Sequence, residues 1–340
     1  MATDQPPFQL THTMTKQVAE ISELIGAWKA VNHGALVPEL RRGNRIKTIQ
    51  ASLAVEQNTL SLEQVTAVLE GKAVLGLPRE IQEVRNAFTA YEKLEQWQPQ
   101  QVDDLLTAHR LLMHGLVDDA GRLRIGGSGI YQGQELVHMA PPASQVPRLI
   151  NDLLRWLNDT EAHPLIASTA FHYEFEFIHP FSDGNGRMGR LWQTLILSHW
   201  QPMLAFLPVE TVIKNRQQDY YRILGEADKH ADCSIFIEFL LTAIQESLAD
   251  AIRQQHTVKT PETRVETSKT RVEARVEKPI KTEDQILALL KIHAELSLVD
   301  VATMIGRSVS AVERAAAKLK TQKRLTHEGP KKSGKWKVID

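Results

Sequence analysis

The sequence predicts an all-α protein with one short β-hairpin, followed by a small separate module at its C-terminal end. Three observations carry this. Apolar residues recur at three-and-four spacing from about residue 18 to about residue 255, the period of helices with one buried face. One glycine-rich, β-permissive stretch interrupts them at 121–131. Beyond residue 255 the composition turns polar and charge-alternating, and hydrophobic periodicity returns near residue 282.

The elements follow in chain order. A polar start leads into an amphipathic run, Val18–Trp28. Helices are predicted over Ile81–Leu94, Val102–Met113 and Val146–Leu157, punctuated by Pro78, Gly115, Gly121 and the pair Pro141-Pro142. Gly121–Tyr131 is poor in helix formers, and with Val137–Ala143 it reads as the hairpin. Ala170–Ile178 is an apolar-rich helix, Leu191–Leu197 continues helically after a loop, and Ile235–Leu241 is a buried helix with Cys233 in it or just before it as a packing residue.

Residues 256–281 read as a solvated linker in which Arg-Val-Glu occurs at 264, 271 and 275. Residues 282–340 read as a winged helix-turn-helix-like domain: helices over Thr282–Leu290, Leu298–Gly306 and Ala311–Leu319, then strands at Leu325–Glu328 and Lys335–Ile339 around a Gly/Pro/Lys turn. Residues 281–340 carry 12 Lys+Arg against 7 Asp+Glu, so a phosphate-facing surface on DNA is one reading and protein docking the other.

Composition narrows the class. At 340 residues the chain can bury a sizeable core, and 42% apolar with 24% charged residues is ordinary for a globular protein. A net charge of −1 gives the whole chain no bias toward nucleic acid or membrane. No apolar run is long enough to span a bilayer, and the N-terminus has no signal-peptide pattern. One cysteine excludes an internal disulfide, and the expected location is the cytoplasm.

The chemistry concentrates in His179-Pro180-Phe181-Ser182-Asp183-Gly184-Asn185-Gly186-Arg187-Met188-Gly189-Arg190. A glycine-rich turn before a helix start exposes N–H groups to an anion. Arg187 and Arg190, one helical turn apart, would face the same way and offer forked donors to phosphate oxygens. Asp183 can hold a hard divalent cation such as Mg²⁺, and His179 can take a proton from an attacking hydroxyl. Each fragment alone is commonplace, since Asp-Gly-Asn-Gly is a frequent turn. Together they describe a nucleotide-phosphate transfer site.

This string resembles the signature of the Fic family, His-Pro-Phe-x-Asp/Glu-Gly-Asn-Gly-Arg-x-x-Arg, at every fixed position. The resemblance implies a helical Fic domain that transfers AMP from ATP, with Mg²⁺, to a Ser, Thr or Tyr hydroxyl of a target protein. It implies His179 as general base and Phe181 as buried anchor. Asp183 would be the metal ligand, Gly184, Asn185 and Gly186 the anion hole, and Arg187 and Arg190 the ligands of the distal phosphates. His172, outside the signature, is expected to be a packing or surface residue.

Upstream, Ser52–Asn58 resembles the family's inhibitory motif, Ser/Thr-x-x-x-Glu-Gly/Asn, with Gln57 where Gly or Asn is usual. It implies that Glu56, with Ser52, sits against Arg190 and blocks seating of the ATP γ-phosphate. The hairpin would be the family's flap, which aligns the target segment, with His138 structural. Lys214–Arg222 resembles the helix bordering the nucleotide base. Tyr220 and Tyr221 cannot both point inward from it. One would border the adenine while the other packs or faces solvent, and Tyr221 is the candidate. The domains so implied are an N-terminal helical region, 1–100, with the inhibitory helix near 52–58, and a catalytic core, 101–255. A homodimer is implied by resemblance alone. Two alternatives stand beside AMP transfer: removal of AMP by the same site, and DNA-binding regulation through the C-terminal module.

Overall fold

The computed structural model describes residues 5–32, 38–132, 135–258, 286–287, 290, 298, 301, 309–322, 324–328 and 335–338. The chain divides into two compact units, Met1–Thr263 and Arg264–Asp340.

The first unit is helical. Its described helices are α1 (His12–Asn32), α2 (Pro38–Val55), α3 (Leu62–Leu69), α4 (Pro78–Glu92), α5 (Val102–Leu112), α6 (Val146–Asp159), α7 (Pro164–Ile178), α8 (Asn185–Trp200), α9 (Val209–Asn215), α10 (Gln217–His230) and α11 (Ser234–Val258). α11 thus runs past the predicted linker start at 256. Cys233 lies just before it, fully buried. No described helix is long and apolar enough to cross a membrane.

α7 organises the unit. One side, Phe171, Phe175 and Ile178, joins a core built with α2, α4, α5, α6 and α8. The other side, Leu165, Ala170 and Tyr173, joins a second core with α1, α9, α10 and α11. A helix apolar on all sides belongs in the middle of a domain. Each fully buried Phe adds about 2–3 kcal/mol of apolar burial. The loop after α7 and the start of α8 are thereby fixed between two packed layers.

The hairpin is shorter than predicted. β1 (Gly129–Gln132) pairs antiparallel with β2 (Glu135–Met139), with a register shift between Ile130 and Tyr131. Residues 121–127 are loop instead, held by the left-handed backbone of Gly121 (φ 81°) and by contacts of Arg124 described below. The side chain of His138 lies outside the described residues.

In the second unit, α12 (Val309–Thr321) is followed by an antiparallel hairpin of β3 (Leu325–Glu328) and β4 (Lys335–Val338). Val312, Ala316, Leu319, Leu325 and Trp336 form its small core with Ile286, Leu290 and Val301. The helices predicted over 282–290 and 298–306 fall mostly outside the described residues, as do 259–281.

Candidate active site

α7 ends on a left-handed residue, His179 (φ 49°, ψ 61°), whose N–H still donates to Phe175 O at 3.0 Å. That conformation costs a non-glycine residue about 1–2 kcal/mol, so the surroundings must hold it. Arg124 does. Its Nε donates to His179 O (2.7 Å) and its Nη2 to Ile178 O (3.2 Å) and Pro141 O (2.6 Å). Its Nη1 donates to Gly126 O (2.7 Å), and its own N–H to Pro180 O (2.9 Å). One guanidinium, 4% exposed, thus ties the end of α7 to both segments flanking the hairpin.

The loop then turns inward. Phe181 is fully buried and stacks flat on His109, ring centroids 3.6 Å apart. His109 accepts from Gly121 N–H at Nδ1 (2.8 Å), which leaves Nε2–H to donate to Asp183 O (3.0 Å). Burial holds this imidazole neutral, its pKa pulled down to about 4. The Asn185 side chain closes a ring with the Phe181 backbone, donating to its O and accepting from its N–H, both at 2.9 Å. Asn185 therefore braces the loop with its amide.

α8 begins inside the motif, at Asn185, close to the helix start expected after the glycine-rich turn. Gly184 is its N-cap at φ 86°, and a Cβ there would stand 2.6 Å from Met113 Sδ. The first helical bond is Met188 N–H to Gly184 O, so the N–H groups of residues 185–187 precede the helical ladder and carry its positive end.

The two arginines of the motif are held by separate partners. Arg187 donates to Asp183 Oδ1 (3.0 Å) and Glu83 Oε1 (3.4 Å). Arg190 donates to Ser52 Oγ and Ser52 O, each at 3.0 Å, and to Glu56 Oε1 at 2.6 Å. Burial lowers the affinity of Arg190 for its proton, but the charge and hydrogen bond of Glu56, with the nearby hydroxyls of Tyr220 and Tyr221, more than offset it, so its pKa stands above the ordinary arginine value. A Cβ on Gly186 would collide with the Glu56 carboxylate and stand 3.0 Å from Arg190 Nη1. The carboxylate therefore lies against the positive start of α8, where an anionic ligand would sit.

Glu56 is not within a helix. α2 stops at Val55, and Glu56 and Gln57 form the turn after it. Gln57 is left-handed (φ 68°), a conformation glycine and asparagine adopt more cheaply. That is a physical reason for the usual residue types there. Asn58 closes the turn, donating to Glu80 O (3.2 Å) and Glu83 Oε2 (2.8 Å).

Asp183 is part-exposed and bonded to Arg79 Nη2 (3.0 Å) as well as Arg187. Among the described residues no three His, Cys, Asp or Glu side chains cluster as a metal-binding set.

A break at Arg216 separates α9 from α10 and divides the stretch 214–222, which reads as one helix in the sequence. Tyr220 is buried, and its hydroxyl meets His172 Nε2 at 3.0 Å. Tyr221 is half-buried beside it, and burial, with the charge of Glu56, pushes its hydroxyl up to about 12. His172 is a packing residue and fully buried. Its Nδ1–H donates to Gln193 Oε1 (2.6 Å), and burial pulls its pKa down to about 4. Next to it Glu176, equally enclosed, is pushed up to about 8 by burial, against the pull of Arg190.

Four contributors escaped the sequence reading: Arg79, Glu83, His109 and Arg124. His109 had a readable signal, since it shares the apolar face of α5 with Leu105, Ala108 and Leu112. A histidine on such a face has to find buried partners. The other three act through contacts distant in sequence.

A helical domain in which a left-handed histidine ends one central helix, and a glycine cap opens the next, defines the class. The Fic/DOC family profile matches residues 99–197. A crystal structure of a Fic family protein from Desulfovibrio desulfuricans G20 shares 48% identity, covers 98% of each chain and superposes with a TM-score of 0.72. This chain belongs to the Fic/DOC family. A Caenorhabditis elegans protein, Protein adenylyltransferase fic-1, is 30% identical over 65% of this chain and 46% of its own length. A Drosophila melanogaster protein, Protein adenylyltransferase Fic, is 28% identical over 62% of this chain and 43% of its own. The chain thus spans about half the length of the curated relatives it matches.

Proposed function

We propose that this protein is an adenylyltransferase that moves AMP from ATP to a hydroxyl of a target protein, and that Glu56 restrains it. One observation supports the reading: the Glu56 carboxylate stands 2.6 Å from Arg190 and packs against Gly186, two groups suited to bind a phosphate.

In the proposed reaction the hydroxyl oxygen attacks the α-phosphorus and pyrophosphate leaves. His179 takes the hydroxyl proton, and Arg124 keeps that histidine in place. The N–H groups at the start of α8 receive charge on the transferring phosphoryl group, and Arg187 and Arg190 receive that on the pyrophosphate. Asp183 suits Mg²⁺, which commonly binds through one or two carboxylates together with substrate phosphates and water. When bound, the ion would neutralise phosphate charge. Tyr221 would border the base. Removal of Glu56 from Arg190 would free the guanidinium for the terminal phosphate.

The reading also carries a cytoplasmic location, a homodimer, a division of the first unit near residue 100 and a winged-helix role for residues 282–340. DNA contact by that module would appear as salt-dependent retardation of random duplex DNA by the full chain.

The experiment labels ATP at the α-phosphate in one reaction and the γ-phosphate in another. Wild type, Glu56→Gly and Glu56→Gly/His179→Ala are each incubated with Mg²⁺ and lysate. Protein label from the α-position alone, strongest in Glu56→Gly and lost in the double variant, is expected. Label from the γ-position would mean phosphorylation and overturn the reading. No label from either position would favour AMP removal.

A further inference from the structure

Arg45, on α2, is 6% exposed, yet its guanidinium makes a single hydrogen bond, from Nη1 to Ala205 O at 2.9 Å. Its Nε is buried with no acceptor. No carboxylate stands within ion-pair distance of it among the described residues. Its other contacts are aromatic, with Tyr91 and Phe206 ring centroids 5.0 and 4.8 Å from Cζ. A buried arginine usually pairs with a carboxylate or phosphate, because an uncompensated buried charge is costly. Arg45 uses one of five donors.

Arg45 lines a cavity of about 400 Å³, within the range of small-ligand sites. Ile46, Leu69, Phe88 and Phe206 give this cavity apolar walls, and Phe88 is 36% exposed. Arg42 stands at its rim, 3.7 Å from Glu70. Glu92 is the one acid among the lining residues, against three arginines. The cavity therefore combines an under-bonded buried cation, further positive charge at the mouth and aromatic surface between them.

We propose that this cavity binds a small organic anion, with its carboxylate or phosphate on Arg45 and Arg42 and its apolar body against Phe88, Phe206 and Leu69. The charged group supplies the acceptors that Arg45 lacks. The body covers the half-exposed aromatic wall, which an inorganic ion leaves wet. The site lies seven residues before Ser52 on α2, about 10 Å along the helix. It is separate from the proposed catalytic groups and does not depend on the AMP-transfer reading.

The test titrates phenyl phosphate and benzoate into the full-length protein by calorimetry, with phenol and inorganic phosphate as controls. Three proteins are compared: wild type, Arg42→Glu at the exposed rim, and Leu69→Trp, which fills the cavity. Saturable binding of at least one of the two anions is expected, with one equivalent bound and phenol and inorganic phosphate far weaker. The anion that binds more tightly identifies the charged group. Arg42→Glu should weaken binding about tenfold or more, and Leu69→Trp should abolish it. Wild type without saturable binding at about 10 mM would overturn the proposal. So would binding that is the same in both variants, which would put the anion elsewhere, such as at the start of α8.

Discussion

Two buried arginines bear on the same helix and differ in what surrounds them. Arg190 reaches the C-terminal end of α2 and makes three hydrogen bonds there, to the hydroxyl and carbonyl of Ser52 and the carboxylate of Glu56. Arg45, two turns earlier on α2, is as deeply enclosed and has one hydrogen bond. The first is a cation whose anion is built into the chain, and the second is a cation whose anion must come from outside. In both cases the signal is the count of partners measured against the count of donors. Arg190 uses three of its five donors and Arg45 one.

Removing the two charges separates them most sharply. Arg190→Met strands Glu56 and Ser52 and should cost about 3–5 kcal/mol in urea unfolding, the usual loss when one partner of a buried pair is removed. Arg45→Met removes one hydrogen bond and two ring contacts and leaves no hydrogen-bonded carboxylate stranded, so it should cost less, about 1–2 kcal/mol. Equal losses would erase the distinction.

A second test concerns what Arg190 leaves unpaired. Glu176 lies behind it, and its Oε1 is buried without a hydrogen-bond partner. With its folded pKa raised to about 8 from an ordinary 4.5, its contribution to stability is complete below the lower value. That contribution is lost as pH rises through the higher one. The wild-type Tm should therefore fall between about pH 5 and pH 9, and Glu176→Gln should flatten that fall. A Tm profile unchanged by the substitution would mean that Glu176 does not ionise in this window.

The smallest effect concerns the turn that presents Glu56. Gln57→Gly relieves a left-handed side chain and should raise stability by about 1 kcal/mol. A lower Tm would show that the Gln57 side chain contributes more than its backbone conformation costs.

These pairings were only partly legible in the sequence. The three-and-four periodicity placed α4, α5 and α6 to within a few residues, because each buries one apolar stripe. The start of α8 was read from its glycine-rich turn and the spacing of its arginines instead. Asn185, Gly186, Arg187, Gly189 and Arg190 have no apolar period, and the helix there is set by its glycine cap and by burial of its polar groups. The break at Arg216 was hidden, since Lys214–Arg222 is uniformly polar up to its tyrosines. The signature drew attention to residues 179–190 and to Glu56, which are close in sequence or match a known spacing. Arg124 and Arg45 carry no motif. Their meaning lies in carbonyls and rings that only the fold brings to them.

The central claim is that the negative charge of Glu56 competes with a phosphate for Arg190. Initial rates of AMP transfer from α-labelled ATP, compared across wild type, Glu56→Gln and Glu56→Gly, test it most directly. Gln keeps the shape and a hydrogen-bonding oxygen but not the charge, so the predicted order is Gly fastest, Gln intermediate and wild type slowest. Gln and Gly variants no faster than wild type would contradict the account, and Arg190 would then be a structural cation with no part in restraint.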